Sequence, residues 1–318
     1  MGAFGGVFLA VLAASSGALG QALTAEELIE RGEFARAVAV LEGRLERSEP
    51  CSSEECATLL SNLGTAYKEL GRLLDAERAF ERSLAVRRNL ASAVGQDAAR
   101  TLNNLGVIYY NFAKYARAEE ALKKSLGIKE SLPETTDQDL ATSWVNLALV
   151  YKAERNWDHA EELLRRALAV RERELGAEDP GVAVVLGDLA TLLYTRHRLE
   201  EAETLARRAL GILERQLGPD HPRIAIALNN LGTIEMAAGR YEESAEHLER
   251  AVRIAQSHPF NPKSTADFMA NYAAVLRKLH HKDEAKSFEE AARAARDAYA
   301  HGNGVGLTVD AGELLRQR

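Results

Sequence analysis

Asn62-Leu63-Gly64 is the first of six closely similar triplets that recur along the chain at an almost constant spacing. The other five are Asn104-Leu105-Gly106, Asn146-Leu147-Ala148, Asp188-Leu189-Ala190, Asn230-Leu231-Gly232 and Asn271-Tyr272-Ala273. Four of the steps between them are 42 residues long and the last is 41. A period of this length is typical of proteins that stack copies of one small unit, so it decides the fold class. We call the triplet the cassette and count positions in each repeat from its first residue, position 0.

A second marker lies fourteen residues after the start of each cassette and divides the repeat into two halves. It is a small residue in every copy: Ala76, Ala118, Ala160, Ala202, Ser244 and Ala285. The residues between the two markers include Gly71-Arg72 and Gly239-Arg240, where glycine favours a turn. In the first half, Leu60, Leu63 and Tyr67 follow the spacing of one helix face. Each repeat is therefore predicted to be a helix, a short turn and a second helix.

The third residue of the cassette is small, as in Gly64, Gly106 and Ala148. A small residue allows two helices to approach closely, and a bulky one there would overpack the contact at a cost of about 1–3 kcal/mol. We therefore expect the two helices of each repeat to meet at this position.

This pattern resembles the tetratricopeptide repeat (TPR), in which a large residue precedes Leu-Gly/Ala, Tyr follows, and Ala lies on the second helix. The large residues here are Leu60, Leu102, Trp144, Leu186, Leu228 and Met269. The Tyr position holds Tyr67, Tyr109 and Tyr151, and then Leu193, Glu235 and Leu276. The usual TPR period is 34 residues, and the longer repeat, with Leu217-Gly218-Pro219-Asp220-His221-Pro222, is similar to that of kinesin light chains.

The resemblance implies an all-α fold, a right-handed α-solenoid of TPR helix-turn-helix repeats over residues 21–300. A degenerate N-terminal unit is predicted in residues 22–47, followed by six repeats from about residue 57. Residues 301–318 leave the pattern and are predicted to be a C-terminal tail, either docked on the last repeat or disordered.

Residues 1–20 differ from the rest, because no charged residue occurs from Phe4 to Leu19. Ala18-Leu19-Gly20 fits a small-x-small cleavage site, so the segment is predicted to be a signal peptide of a secreted or periplasmic protein. The basic residue that usually precedes the apolar run is missing. A membrane anchor is the alternative, but the run is short of the roughly 20 apolar residues needed. We expect no stable membrane insertion after the signal is removed.

Cys51 and Cys56 are the only cysteines in the chain. In an oxidising compartment a pair in one loop is expected to form a disulfide. The alternative is two free thiols, with Cys56 in a helix that begins at a capping box of Ser52 and Glu55. Two cysteines without a matching His or Cys pair do not predict a metal site.

The charge pattern and the motifs argue against two classes of function. A formal net charge of -7 is unlike the basic stripe that a nucleic-acid-binding protein needs, so no nucleic-acid partner is predicted. No phosphate loop, nucleophile elbow or metal signature occurs, so we predict no enzyme activity, catalytic residue, metal or cofactor. Mixed-sign segments such as residues 161–166 are predicted to be solvated second-helix surface with pairs between residues four apart.

In the proteins that the chain resembles, the first helices line a concave surface, and Asn at this position hydrogen-bonds the backbone of an extended peptide. Positions -4, 0, +3 and +7 share one face of a helix, and an Asn side chain is both donor and acceptor. The partner-binding residues predicted on this basis are Asn62, Arg100, Asn104, Val107, Asn111, Asn146, Leu149, Asp188, Thr191, Asn230 and Asn271. The other interpretation is that these Asn residues brace adjacent helices.

We therefore expect a non-catalytic scaffold that binds an extended peptide or a segment of a protein partner in the groove. The alternative is a structural or self-association element of an extracytoplasmic assembly.

Overall fold

The computed structural model describes residues 23–92, 94–257 and 262–302. The predicted signal peptide lies outside the described residues, and so does the predicted tail except for His301 and Gly302. The chain divides into two compact units, Met1–Ile108 and Tyr109–Arg318, and each is described by itself.

Every regular element in the described ranges is a helix, which confirms the all-α class. The first unit contains α1 (Ala25–Glu30), α2 (Phe34–Arg47), α3 (Glu54–Glu69), α4 (Leu73–Asn89) and most of α5 (Gln96–Asn111). The second unit contains the end of α5 and then α6 (Tyr115–Ser131), α7 (Asp137–Ala153), α8 (Trp157–Leu175), α9 (Pro180–Thr195), α10 (Leu199–Leu217), α11 (Pro222–Ala237), α12 (Tyr241–Ser257), α13 (Pro262–Lys278) and α14 (Lys282–Gly302). No described helix is both long enough and apolar enough to cross a membrane.

The helices pack in pairs, and each pair packs on the next. In the second unit the pairs are α7 with α8, α9 with α10, α11 with α12 and α13 with α14, and each second helix also packs on the first helix of the following pair. First helices also contact the first helices of neighbouring repeats, as α7 with α9 and α9 with α11. This is the helix-turn-helix stacking predicted from the 42-residue period.

The small residue of the cassette lies where the two helices of a pair meet, as expected. A Cβ on Gly64 would lie 2.7 Å from two ring carbons of Phe80, and one on Gly232 would lie 2.7 Å from Cγ of Leu248. Both distances are too short for a side chain to fit without moving its neighbour. The third cassette residue therefore sets how closely the paired helices approach.

The turn between the helices of a pair has the same backbone conformation in every repeat. Position +9 has a positive φ, +74° at Gly71 and +80° at Gly239. The residue after it donates its N–H to the carbonyl of position +5, as Arg72 does to Tyr67 (2.8 Å) and Arg240 to Glu235 (2.9 Å). This is a common way to end a helix. The remaining repeats place non-glycine residues in the same conformation: Ala113 (+55°), Arg155 (+61°), His197 (+60°) and His280 (+66°).

The turn uses the backbone carbonyl of position +5, so this bond does not require a particular side chain at that position. Leu193, Glu235 and Leu276 replace the Tyr of the motif, and all three are buried. The carboxylate of Glu235 accepts from Arg207 Nη2 and from His247 Nδ1, each at 2.7 Å. The departures from the motif are thus accommodated by burial of an apolar side chain or by a buried polar network.

The two cysteines lie on either side of the first residue of α3, with Cys51 before the helix and Cys56 in its first turn. Their sulfur atoms are bonded, with the Cα atoms 5.6 Å apart, and Cys56 is buried. The helix begins one residue later than the predicted capping box, since Ser53 rather than Ser52 accepts from the backbone N–H of Cys56 (3.2 Å). The bonded pair therefore spans the first turn of the helix.

The charged second helices are more than the solvated surface predicted for residues 161–166. Glu161 pairs with Arg165 four residues along, but also with Arg196 (2.8 Å) and Arg198 (2.9 Å) of the next repeat. Its side chain is only 12% exposed. Other pairs that link successive repeats of the second unit are Arg208–Glu172, Arg240–Glu203 and Arg250–Glu214. The prediction missed these links because the partners are 35 to 37 residues apart.

Candidate functional site

The candidate site is a surface of the second unit formed by its first helices. We use the name first-helix face for positions -4, 0, +3 and +7 of α7, α9, α11 and α13. These residues are Thr142, Asn146, Leu149, Ala153, Val184, Asp188, Thr191, Thr195, Ile226, Asn230, Thr233, Ala237, Asp267, Asn271, Ala274 and Lys278. The core residues of the same helices, such as Leu189 and Leu231, point elsewhere and are fully buried.

Two large apolar side chains are exposed on the first-helix face. Val184 is 41% exposed and Ile226 is 47% exposed, and both occupy position -4 of neighbouring repeats. Contacts between α9 and α11 place the two helices side by side. These two aliphatic side chains on adjacent helices therefore offer apolar area that the described residues leave uncovered.

Part of the hydrogen-bonding capacity of the cassette asparagines is used between helices. Asn271 Nδ2 donates to Asn229 Oδ1 at 2.8 Å, which joins α13 to α11. The Asn230 amide lies against Gly187 of α9, where a Cβ would be 3.9 Å from its Nδ2. In the first unit, Asn62 Nδ2 donates to Glu26 Oε1 at 2.8 Å. Bracing of adjacent first helices is therefore one role of Asn62 and Asn271, as the second interpretation anticipated.

The threonines of the first-helix face are satisfied by their own helices. Thr191 donates to the carbonyl of Asp188 (2.9 Å), Thr195 to that of Thr191 (2.8 Å) and Thr233 to that of Asn229 (2.7 Å). A hydroxyl that donates in this way still has an oxygen that can accept. Thr191 uses it, because Lys152 Nζ donates to its Oγ1 at 3.0 Å.

A cluster of four polar side chains combines two residues of the first-helix face with two residues that lie beside it. We call Tyr110, Lys152, Asp188 and Thr191 the Lys152 cluster. Burial raises the pKa of the Asp188 carboxyl, although the positive charges of Lys152 and Arg171 act in the opposite direction. Burial also lowers the pKa of the Lys152 ammonium, partly offset by the charge of Asp188. The cluster thus holds two opposite charges at a place where charges are poorly hydrated.

Tyr110 is the member of the cluster that comes from α5. Burial, its neighbour Tyr115 and the charge of Asp188 all raise the pKa of its phenol. The ring lies 5.9 Å from that of Tyr115, centroid to centroid. Its phenol therefore belongs to the same electrostatic environment as Asp188, two repeats further along the chain.

Arg171 of α8 supports the cluster from its own repeat. Its Nη1 donates to the carbonyl of Gly181 at 2.9 Å, and its charge acts on both Asp188 and Asp179. Its Nε is buried and has no hydrogen-bond partner among the described residues. Arg171 thus adds positive charge behind Asp188 while one of its donors stays unused.

The predicted residues of the first unit lie on α3 and α5. Arg100 is exposed and pairs with Asp97 at 2.7 Å, so its charge is already compensated. Asn104 and Val107 are partly buried on α5. In the second unit Asn111 is exposed as the last residue of α5, while Asn146 and Leu149 are partly buried on α7.

Tyr110, Lys152 and Arg171 were not among the residues predicted from the sequence. Tyr110 and Lys152 both occupy position +6, which is off the face defined by positions -4, 0, +3 and +7. The aligned column at +6 contains Lys68, Tyr110, Lys152 and Tyr194 in four successive repeats. Long polar side chains in one column were a signal that this position reaches toward the neighbouring repeat.

The chemistry available on the first-helix face is hydrogen bonding and apolar contact. Its groups are amides, hydroxyls, aliphatic side chains, one ammonium and carboxylates. Within the described ranges, no three His, Cys, Asp or Glu side chains gather in a way that could hold a metal ion.

The sequence profile of the tetratricopeptide repeat matches residues 55–131, 139–215, 196–257 and 223–298. The chain belongs to the tetratricopeptide repeat family. TPR repeats are in general a non-catalytic scaffold for protein–protein interaction, and the TPR fold indicates protein partners. No curated protein matches the chain.

Several solved TPR structures have the same fold, including proteins like kinesin light chains. BtubC (BKLC) from P. vanneervenii has a TM-score of 0.60 at 23% identity, over 71% of this chain and 91% of that one. A Podosopora anserina kinesin light chain protein with nearly identical TPR-like repeats has a TM-score of 0.53 at 21% identity, over 65% and 99%. The apo form of RapI has a TM-score of 0.68 at 15% identity, over 86% and 95%. At these identities the likeness shows the fold alone.

Proposed function

We propose that this TPR protein binds an extended segment of a polypeptide partner along the first-helix face of its second unit. The observation that carries the proposal is the pair of exposed aliphatic side chains, Val184 and Ile226, beside the cassette residues Asp188 and Asn230. Apolar contact supplies affinity without requiring one particular partner sequence. The polar groups form hydrogen bonds with the backbone of the partner, which loses its hydrogen bonds to water when it binds.

An extended segment suits this surface better than a folded domain or a small molecule. The polar and apolar positions repeat once per helix pair, so equivalent groups are offered at intervals along a line of first helices. An extended chain likewise presents its backbone N–H and C=O groups at regular intervals. The amides of the cassette can donate to one and accept from the other.

We propose in addition that the protein is exported before it binds its partner. The uncharged run from Phe4 to Leu19 and the bonded pair Cys51–Cys56 support this, because disulfides persist in oxidising compartments. N-terminal sequencing of the protein recovered from its native cell tests the proposal. A mature N-terminus near Gln21 is the expected result, and an intact Met1 on protein recovered from the cytoplasm would contradict it.

Binding is tested with the full chain on a cellulose-bound array of random peptides about 15 residues long. The strongest binder, labelled with fluorescein, then serves as the probe in solution. We expect Asn230→Ala to raise its Kd about three- to tenfold and Ile226→Ser about tenfold. Gln216→Ala, an exposed amide on α10, is the matched control and should leave Kd unchanged.

Two results would contradict the proposed function. One is that no array peptide binds the wild-type chain. The other is that Asn230→Ala and Ile226→Ser lower the melting temperature while leaving Kd unchanged, which would assign the face to bracing. Light scattering over a range of concentrations distinguishes self-association, since a mass that rises with concentration would favour copies of the chain as the partner.

A further inference from the structure

Repeat four is the one repeat whose cassette begins with an acid rather than an amide. The change from Asn to Asp removes a hydrogen-bond donor, because an ionised carboxylate only accepts whereas an amide both donates and accepts. A row of side chains that pairs with a peptide backbone needs a hydrogen-bond donor and an acceptor in each repeat. At Asp188 the donor must come from another residue.

Lys152 is placed to supply that donor. Its ammonium reaches from α7 to α9, where it donates to Thr191 Oγ1 at 3.0 Å, one helical turn from Asp188. Its charge and that of Asp188 act on each other. An ammonium has three donors, so two remain after the bond to Thr191.

The carboxylate of Asp188 is available as the acceptor. No described residue donates a hydrogen bond to it, although Lys152 and Arg171 lie close enough to act on it electrostatically. The Asp188 carboxylate can therefore accept one hydrogen bond from a partner, and the Lys152 ammonium beside it can donate one. A partner group that both donates and accepts would satisfy the two side chains together. The N–H and C=O of one residue in an extended chain point to the same side and make such a group.

We propose that Lys152 and Asp188 together bind the backbone of one residue of an extended partner segment, with Lys152 donating to the C=O of that residue and Asp188 accepting from its N–H. Two side chains would then supply the donor and the acceptor that the single amide of Asn230 supplies in the next repeat under the proposed function. Val184 is exposed one turn before Asp188 on α9, so an apolar side chain of the partner would lie next to the bound residue. The inference rests on the proposed function.

Stability considerations agree with a binding role. Burial outweighs the attraction of the two cations at Asp188, as its raised pKa indicates, so a neutral Asn would be more stable there. A residue that lowers stability at a partly buried position calls for a functional explanation. Peptide binding provides that explanation, because the charged groups of Lys152 and Asp188 make stronger hydrogen bonds than a neutral amide does.

The test compares four full-length proteins with the fluorescein-labelled array peptide as the probe: wild type, Lys152→Met, Asp188→Asn and the double variant. Lys152→Met should raise Kd at least about tenfold, as expected for loss of a hydrogen bond from a charged donor. Asp188→Asn should remain within about threefold of wild type, because Asn restores the donor. The double variant should remain within about threefold of Asp188→Asn. Lys124→Met, on the exposed surface of α6, is the matched control.

The inference is overturned if Lys152→Met weakens binding equally in both backgrounds or in neither. It is also overturned if Lys152→Met lowers the melting temperature and leaves Kd unchanged. These outcomes differ from failure of the proposed function, in which no peptide binds or Asn230→Ala has no effect on Kd.

A second measurement requires no protein variant and so cannot fail through misfolding. Each backbone N–H of the probe peptide is methylated in turn. Loss of about tenfold in affinity at one or more interior positions is expected, and uniform tolerance of methylation would overturn the proposal.

Discussion

On the second helices of the second unit, charged side chains pair with charges of the next repeat, as Glu161 does with Arg196 and Arg198. On the first-helix face the polar side chains are mainly amides and hydroxyls, and the exposed apolar residues Val184 and Ile226 lie among them. The two surfaces come from helices of similar length in the same repeats. They differ in charge and in apolar exposure: the second helices carry ion pairs between repeats, and the first-helix face carries exposed aliphatic side chains.

The comparison indicates that the second helices contribute mainly to stability and that the first-helix face is suited to binding a partner. A pair such as Arg250–Glu214, at 2.5 Å, uses charges of the chain to hold successive repeats together, and little capacity is left for a partner. The Lys152 cluster keeps unused donors and acceptors at a cost in hydration. We therefore expect changes to the second helices to alter stability first and changes to the first-helix face to alter binding first.

The largest expected effect is on the second helices. Glu161→Gln should lower the free energy of unfolding by about 1–2 kcal/mol, because three arginines lose a charged acceptor that is mostly buried. Urea unfolding followed by circular dichroism measures it. Glu162→Gln, an exposed neighbour on α8, is the control and should change the midpoint little. Equal effects of the two variants would show that the links between repeats contribute nothing.

Substitutions in the turn between paired helices are expected to change the free energy of unfolding by a smaller amount. Arg155 adopts a φ of +61°, which favours glycine, so Arg155→Gly should stabilise the chain by up to about 1 kcal/mol. Gly239→Arg, the reverse change at φ +80°, should destabilise it by a similar amount. Thermal unfolding of both variants checks the prediction. A loss of stability in Arg155→Gly would mean that its side chain makes a contact more favourable than the relief of backbone strain.

A still smaller effect is expected at Asp188, and its sign depends on pH. Because the pKa of Asp188 is raised in the folded chain, the free energy of unfolding falls as the pH rises from the ordinary pKa to the raised pKa, and it stays lower above the raised pKa. Asp188→Asn should therefore raise the melting temperature at pH 7. The difference from wild type should vanish below pH 3.8, the ordinary value, where the carboxyl is protonated in both states. A difference that is the same at both pH values would contradict this.

The smallest effect on stability is expected for the apolar residues of the first-helix face. Ile226→Ser should change the free energy of unfolding by no more than about 0.5 kcal/mol, since Ile226 is 47% exposed and the two residues have similar helix propensity. The same variant is expected to weaken peptide binding. Differential scanning fluorimetry provides the measurement, and a large drop in melting temperature would place Ile226 in the core.

The fold was predictable because its signals are local. The cassette spacing, the apolar positions around Leu60 and the glycines at Gly71 and Gly239 each act within a few residues of the chain. The residue types of Arg155 and His197 do not predict their left-handed conformation. Both residues adopt it because they occupy position +9, where the turn of every repeat has a positive φ. The start of α3 was predicted one residue too early, since Ser52 and Ser53 are both suitable caps.

The candidate site was predictable only in part. The face that carries Asn230 and Ile226 follows from helix geometry alone. Lys152 was missed because its position lies off that face, and its long side chain reaches α9 only when the repeats are stacked. The partners of Glu161 were missed for the same reason, since they lie 35 to 37 residues away.

Periodicity alone therefore specifies the repeat, its two helices and the small residue where they meet, because these depend on backbone conformation and on burial of nearby apolar side chains. Stacking of the repeats specifies which polar groups come within 3 Å of one another. Stacking fixes the distance and the relative rotation of neighbouring first helices. Only for this reason does Asn62 reach Glu26, and Lys152 reach Thr191. A hydrogen bond depends on tenths of an ångström, and that distance is set by packing between repeats rather than by spacing within one.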